Sequence, residues 1–401
     1  MSTLTSAPKR QGTLALWALV IEIAVVGFAL VLLLEQASSH ITPTISDYSI
    51  WNGNITAVGP FLLWMLSATT EPNFYSSALA GVGLLAGGTI AHALFRRNSK
   101  WHGYIQACGS GDWTWVVASA LLGVLASNLL WGWTLESTNT WQPLFVPFVS
   151  VSPTVVLMFG PTVKNVLTGA GLGALTTTPL SLAGTNYICE PLGIPPVVGV
   201  TGGMAVGALV AFAICRVLPW MPAPVHLRQQ QPPSPPPTDR PAAHGARWTL
   251  RRTIADFSEA QFFGNEWASA GLVLGAIAAY LLNPASLAYG SGLLPQILVA
   301  QLITASAAIV LWRKQWSSRP FYPTFVPVVS VAPATVLAFG GSVQAILAGA
   351  LLGAAVAPPV AAAIARRLPS DFHPFIGNVA SMALSTAIIV PALGLAPGFT
   401  S

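Results

Sequence analysis

Residues 145–179 read FVPFVSVSPTVVLMFGPTVKNVLTGAGLGALTTTP, and residues 325–359 read FVPVVSVAPATVLAFGGSVQAILAGALLGAAVAPP. Aligned without a gap at a constant offset of 180, 19 of these 35 positions are identical. The shared residues include Pro147/Pro327, Ser150/Ser330, Pro153/Pro333, Gly160/Gly340, Gly169/Gly349, Gly173/Gly353 and Pro179/Pro359. The chain is internally duplicated, and the repeated stretch is the one least like an ordinary helix. Matching apolar segments interrupted by Gly and Pro are the sequence pointer to a transporter's binding site.

Working outward, only 7% of the 401 residues are charged and 53% are hydrophobic, with a mean hydropathy of +0.65. A soluble domain carries about 25% charged residues, so the chain reads as an all-α integral membrane protein. Its net charge of +5 comes from 17 Lys+Arg against 12 Asp+Glu. A membrane protein that keeps its basic residues on the cytoplasmic side becomes basic without a polyanionic ligand, so no nucleic-acid partner is implied. Cys108, Cys189 and Cys215 are far apart and form no metal-ligand or redox spacing. Neither a metal nor a cofactor is expected.

Lys9 and Arg10 precede an apolar run from Leu14 to Leu34, with a small-residue site near Ala37. At about 20 residues the run suits a retained membrane span better than a short signal core. Further apolar segments lie at about 76–95, 114–134, 144–160, 161–183 and 197–218, and again at about 267–283, 295–312, 323–340, 341–364 and 375–396. Segment 55–68 is shorter, which suits an interfacial or re-entrant stretch. The expected organisation is a cytoplasmic tail and first helix (1–35), an extracytoplasmic segment (36–75), a first repeat (76–218), a linker (219–266) and a second repeat (267–401).

Lysine and arginine set the orientation. With the N-terminus in the cytoplasm and eleven crossings, Arg96, Arg97, Lys100, Arg216, Arg251, Arg252, Arg313, Lys314, Arg319, Arg366 and Arg367 all fall inside, with the linker arginines Arg228, Arg240 and Arg247. Glu35, Asp47, Glu71, Glu136 and Glu190 are left outside with no Lys or Arg beside them, as the positive-inside rule requires. Were 144–160 re-entrant, the arginine-rich linker would move outside, so this proline-rich segment is expected to cross as a discontinuous helix. Five crossings per copy is an odd number, so the second copy enters from the opposite side and the repeats are expected to be inverted. Pro196, Gly199 and Met204 recur as Pro374, Gly377 and Met382, whereas the first two helices of each copy match in hydropathy alone. Between the copies, QQQPPSPPPTDRP is a proline-rich linker expected to be flexible. In the RWTLRRTIADF that follows, Leu250, Ile254 and Phe257 fall at helical spacing, the pattern of an amphipathic helix on the inner leaflet.

The chemistry is expected where the prolines recur. Within a helix Pro153 and Pro333 would free the carbonyls of Val149 and Val329, and unpaired backbone at membrane depth is tolerated where it lines a wet cavity. A substrate site is therefore expected from Ser150, Ser152, Pro153, Thr154 and Gly160 in one copy and Ser330, Pro333, Thr335 and Gly340 in the other. Proline kinks that only shape helix packing are the alternative. Thr162 and Ser342 are candidate N-caps, and a helix N-terminus suits an anion. Gly169, Gly173, Gly349 and Gly353 have the spacing of close helix packing. Glu22, Lys164, Thr176, Gln344 and Asn378 are candidates for a proton, ion or polar pathway. The ten repeat spans carry no mid-span Asp or Glu, and scattered His, Asp and Glu residues make no enzyme motif.

The general plan resembles secondary transporters built from inverted five-helix repeats, such as the sodium/proton antiporter and bile-acid symporter groups. The resemblance is one of architecture alone. The expected protein is a multi-pass inner- or plasma-membrane permease with its N-terminus in the cytoplasm. It would move a small solute or anion by alternating access around a midplane site between the two broken helices. A passive channel for a neutral or anionic solute is the first alternative, and a membrane-embedded enzyme or scaffold the second. Its partners would be that substrate and the bilayer, and a homo-oligomer is compatible with the sequence.

Overall fold

A chain this apolar has little water to satisfy its backbone, so its amide and carbonyl groups must pair within helices. In the computed structural model, which describes residues 12–51, 57–225 and 244–399, all regular secondary structure is helical. The helices are α1 (Thr13–Ser38), α2 (Val58–Ala68), α3 (Ala78–Arg96), α4 (Trp113–Trp131), α5 (Val151–Phe159), α6 (Val163–Leu192) and α7 (Pro196–Val217). After residues 226–243, where most of the proline-rich linker lies outside the described residues, come α8 (Ala246–Ala255), α9 (Glu266–Leu282), α10 (Leu294–Leu311), α11 (Val331–Phe339), α12 (Val343–Ala365) and α13 (Phe375–Gly394). Eight of these are long and apolar enough to cross a membrane: α1, α3, α4, α6, α7, α10, α12 and α13. Shorter apolar helices cover Val58–Ala68, Val146–Phe159, Glu266–Leu282 and Val326–Phe339. The fold is that of a helical membrane protein.

Both proline-rich segments are broken in the same way. A 3-10 turn, Val146–Val149 or Val326–Val329, leads to a non-helical serine, and a short α-helix follows. Ser150 has φ −134° and ψ −114°, and Ser330 has φ −146° and ψ −87°. Pro153 and Pro333 therefore do not kink a helix from within. They fall in the first turn of α5 and α11, where a missing donor costs nothing because no carbonyl precedes it. Each short helix ends at a glycine with positive φ, Gly160 (98°) or Gly340 (71°). The next helix then starts on a capped turn, Thr162 accepting from the Asn165 amide and Ser342 from the Ala345 amide, both at 3.2 Å.

The glycine spacing brings the long helices onto these breaks. A side chain at Gly169 or Gly173 would run into Ser152, and one at Gly349 or Gly353 would run into Thr335, Pro327 or Val331. A tryptophan indole pins each arrangement: Trp131 Nε1 donates to the Ala174 carbonyl at 2.9 Å, and Trp312 Nε1 to that of Ala354 at 2.8 Å. Helix α6 runs on to Leu192, well past the expected 183, because two π-helical turns, Gly173–Thr177 and Thr185–Cys189, absorb the proline and hydroxyl positions.

The two halves meet where α3 crosses α9. A Cβ on Gly83 would overlap the carbonyl oxygen of Gly271, and a Cβ on Gly271 that of Gly83. One turn away, Gly87 faces the Trp267 carbonyl while Gly275 faces that of Leu79, so the helices run antiparallel. Helix α7 runs antiparallel to α13 in the same manner: Phe212 and Arg216 near the end of one meet Phe372 and Asp371 at the start of the other. Helix α1 stands outside this arrangement and packs on α10, with Gly27 against Val299.

One helix departs from its expected orientation. Of the expected apolar positions Phe257 is buried just past the end of α8 and Ile254 is half-buried, but Leu250 is exposed, while Thr249, Arg252, Thr253 and Asp256 are buried. The polar face turns inward because its charges satisfy one another: Arg252 pairs with Asp256 at 2.7 Å and also with Glu259.

The crossing sets a stability test. Replacing Gly83 with Val must push two backbones apart, and overpacking of this kind costs about 1–3 kcal/mol or more. The Gly83→Val protein is expected to lose several degrees of thermal stability in detergent. Gly171→Ala, where nothing lies within 4 Å of the added carbon, is expected to hold or raise it.

Candidate functional site

Between the broken segments and the antiparallel pair α7 and α13 lies a cavity of about 800 Å³. Its wall draws on matching positions of the two copies: Phe145 and Phe325, Val149 and Val329, Met204 and Met382. Thr201 and Asn378 add polar groups from the two long helices. At one end the cavity reaches the surface between Leu192–Pro195 and the last turns of α13, where Leu192, Gly193, Pro391 and Gly394 are exposed.

Among the described residues two acidic ones lie on the wall, Glu71 and Glu259, and no Lys, Arg or His does. They occupy equivalent places in a second stretch of the duplication. Residues 70–77 read TEPNFYSS and residues 258–265 read SEAQFFGN, at an offset of 188. Glu71 aligns with Glu259, Asn73 with Gln261, Phe74 with Phe262, and the helix caps Ser77 and Asn265 with each other. Ser77 accepts from the Ala80 amide at 3.3 Å, and Asn265 from the Trp267 and Ala268 amides. The same offset carries α2 onto α8 and α3 onto α9. The offset changes from 188 to 180 further along, so a constant-offset comparison misses this part of the duplication.

The two turns touch each other: Gln261 Nε2 donates to Asn73 Oδ1 at 2.6 Å and to the Thr69 carbonyl at 3.2 Å. Asn73 Nδ2 donates to the Phe257 carbonyl at 2.8 Å. Gln301 binds this centre to a broken segment, donating to the carbonyls of Asn73 and Val328 while its Oε1 accepts from Tyr75 at 2.7 Å.

The two carboxylates differ in their surroundings. Glu259 is paired with the buried guanidinium of Arg252, which also holds Asp256. Asp256 in turn accepts from Thr324 Oγ1 at 2.9 Å. At the position matching Arg252 the first copy has Trp64, whose indole donates to Asn128 at 2.7 Å. Glu71 instead accepts three neutral hydrogen bonds, from Ser76 Oγ at 2.5 Å, Tyr289 Oη at 2.8 Å and Trp141 Nε1 at 3.3 Å. Among the described residues no cationic side chain pairs with it.

Most of the residues singled out by sequence lie beside this cavity rather than on its wall. The hydroxyls of Ser150, Thr154, Ser330 and Thr335 donate to carbonyls of Val146, Ser150, Val326 and Val331, within their own segments. Ser150 also meets Thr177 at 3.2 Å. The Ser152 hydroxyl is fully buried without a partner among the described residues. Thr176 bonds back to the Leu172 carbonyl. Pro153 and Pro333 are buried in their first turns, and Gly160 and Gly340 stand at the far ends of the short helices. Lys164 and Gln344 are exposed, and Gln344 donates to the Pro397 carbonyl. Glu22 lies on the exposed side of α1. Of the residues singled out, Asn378 is on the cavity wall. The wall is reached by the neighbours of the two serines, Val149 and Val329, because each serine turns back to its own 3-10 turn.

Comparison with models of known protein families and with curated proteins finds no match for this chain. Among the described residues no group of three or more His, Cys, Asp or Glu is arranged to hold a metal ion.

The buried charges behind the wall predict an asymmetry. Removing Arg252 as Met leaves Asp256 and Glu259 buried without a counter-charge, a loss of about 3–5 kcal/mol. The expected result is a large drop in the thermal midpoint in detergent, or failure to accumulate folded protein. Double replacement of both carboxylates with their amides in the Arg252→Met background should recover part of it.

Proposed function

We propose that the chain is a secondary transporter that carries a small solute by alternating access, with the substrate held in the cavity between the two broken helices. The supporting observation is a difference between the two ends of that cavity at matching positions. Gly193, Ile194, Phe339, Val390 and Gly394 line the cavity. Their counterparts Asp371, Phe372, Phe159, Phe212 and Arg216 instead close on one another. Phe212 stacks between Phe159 (6.3 Å) and Phe372 (5.7 Å), and Arg216 lies over Phe372 and pairs with Asp371 at 2.5 Å. Two equivalent ends, one open and one shut, are what a carrier has in one of its two states.

On this reading the copies form an inverted repeat of six elements each, α2–α7 and α8–α13, rather than five. The pseudo-two-fold axis passes between Gly83 and Gly271 and between Asn73 and Gln261, equivalent residues that meet each other. The antiparallel contacts of α3 with α9 and of α7 with α13 support an axis in the membrane plane. The charge distribution assigns the open end to the extracytoplasmic side and the N-terminus to the cytoplasm of a cell membrane. A continuous pore is the weaker alternative, since an aromatic plug and an ion pair stand across one end. The carboxylates and the absence of cations on the wall also remove support for an anionic solute.

Three expected outcomes test this reading. In reconstituted vesicles an imposed ion gradient should drive the solute above its equilibrium level; flux that merely equilibrates would mean a pore. Val329→Trp, which fills the cavity without touching the ion pairs, should cut uptake at least tenfold while the protein stays folded. With the native cysteines replaced by alanine, Ile194→Cys should react with a membrane-impermeant thiol reagent from the extracytoplasmic face and not from the other.

A further inference from the structure

We propose that Glu71 and the aromatic side chains around it form the recognition site for an organic cation, an ammonium head joined to an apolar body. The inference rests on the transport reading for the role of the cavity, and adds the chemical class of what it holds.

The duplication supplies the first argument. The same carboxylate appears in both copies at the same place on the cavity wall. In the second copy a buried arginine saturates it, and in the first a tryptophan stands where that arginine would be. Glu71 is 3% exposed. An ionised carboxylate so far from water is costly unless a positive charge joins it. Intramembrane acids without a partner mark the place where substrate or proton is taken up. Among the described residues the first copy keeps the acid without the cation.

Hydrogen bonding supplies the second argument. Oε1 accepts from Ser76 and Trp141, and Oε2 accepts from Tyr289. A carboxylate offers about four acceptor directions, so these three donors hold the group in place and leave room for one more. Trp141 can only donate, so it favours the ionised form. A ligand cation, through an N–H or through charge alone, is the natural fourth partner.

The surroundings supply the third. Trp141 lies edge-on to Tyr289 at 5.8 Å and packs with Phe145 at 6.3 Å, while Phe74 lies edge-on to Tyr289 at 6.4 Å. Phe74, Trp141, Phe145 and Tyr289 all line the cavity beside the acid, and a ring face that meets an ammonium attracts it through its quadrupole. Beyond this cage the wall is apolar, with Val149, Val329, Met204 and Met382, and would receive the rest of an amphipathic amine. On the proposed orientation the outer loops also carry acids and no Lys or Arg, which would concentrate cations at the mouth.

The test is binding in detergent at neutral pH, measured by calorimetry, with phenethylammonium and benzyltrimethylammonium as cations. Phenethyl alcohol serves as the neutral counterpart and benzenesulfonate as the anion. Both cations should bind at least tenfold more tightly than the alcohol, and the sulfonate should not bind. Glu71→Gln, close in shape to the native residue, should weaken cation binding at least tenfold and leave the alcohol unchanged. Trp141→Leu should weaken the quaternary cation several-fold. Thermal midpoints within a few degrees of the native protein show that each variant is folded. Equal affinity for cation and alcohol, preference for the sulfonate, or undiminished cation binding by folded Glu71→Gln would overturn the proposal. So would cation-independent transport of another solute with pH-dependent Glu71, which would make the residue a proton carrier. Cation binding without flux in vesicles would instead refute the transport reading and leave the cation site standing.

Discussion

The contact on which the rest of this structure depends is the crossing of α3 and α9, where Gly83 and Gly271 bring two backbones together with no side chain between them. In lipid there is little hydrophobic gain from joining two apolar helices, so their association rests on close packing and on buried polar bonds. Small residues at the crossing provide the first. The second is provided just before each helix, where Asn73 and Gln261 bond to each other and to backbone carbonyls. Any separation of the two helices would strip these amides of partners in an interior that water does not reach. The turns that carry Glu71 and Glu259 are thereby held against the centre of the molecule, and both carboxylates reach the cavity wall.

A second constraint acts through the broken segments. Prolines at the start of α5 and α11 make it easy to begin a helix and hard to extend one backward, so each segment enters as a turn and leaves as a helix. The serines between the two parts look like ligand groups but are consumed by their own 3-10 turns, which need an acceptor-to-donor bridge at that point. What the break exposes to the cavity is valine, with phenylalanine four residues earlier. The wall is accordingly greasy, and its few polar groups come from other elements.

The duplicated core was plain in the sequence because 19 of 35 positions repeat without a gap, and the caps Thr162 and Ser342, the glycines that pack on the breaks and the discontinuity itself lie within that stretch. The carboxylates were hidden by length. Two offsets, 188 and 180, separate the copies, and Glu71 sits outside any long apolar run, so hydropathy assigns it to an extracytoplasmic segment. Only the short pattern of Glu, any residue, Asn or Gln, then Phe signals it, and eight residues so dissimilar elsewhere carry little weight before both are found on one wall. The inward turn of Arg252 and Asp256 was illegible for a different reason. Periodicity reports which positions are apolar, and here polar ones are buried beside Phe257, because three charged groups complete one another.

The differences between the copies are as informative as their likeness. Where α8 has Arg252, α2 has Trp64; where Glu259 meets a guanidinium, Glu71 meets an indole, a phenol and a hydroxyl. The same division appears at the ends of the cavity, with Arg216 and Asp371 paired at one and Gly394 and Gly193 at the other. The Arg252–Glu259 pair lies within the second copy and its first-copy equivalent lacks the cation, whereas Arg216 and Asp371 pair across the two copies and their equivalents Gly394 and Gly193 carry no charge. A complete pair fixes its neighbourhood, since parting it would strand a charge. An incomplete one imposes no such constraint. The two copies thus share one frame, and their surroundings differ at the few positions where one has a charged residue and the other an aromatic or small one.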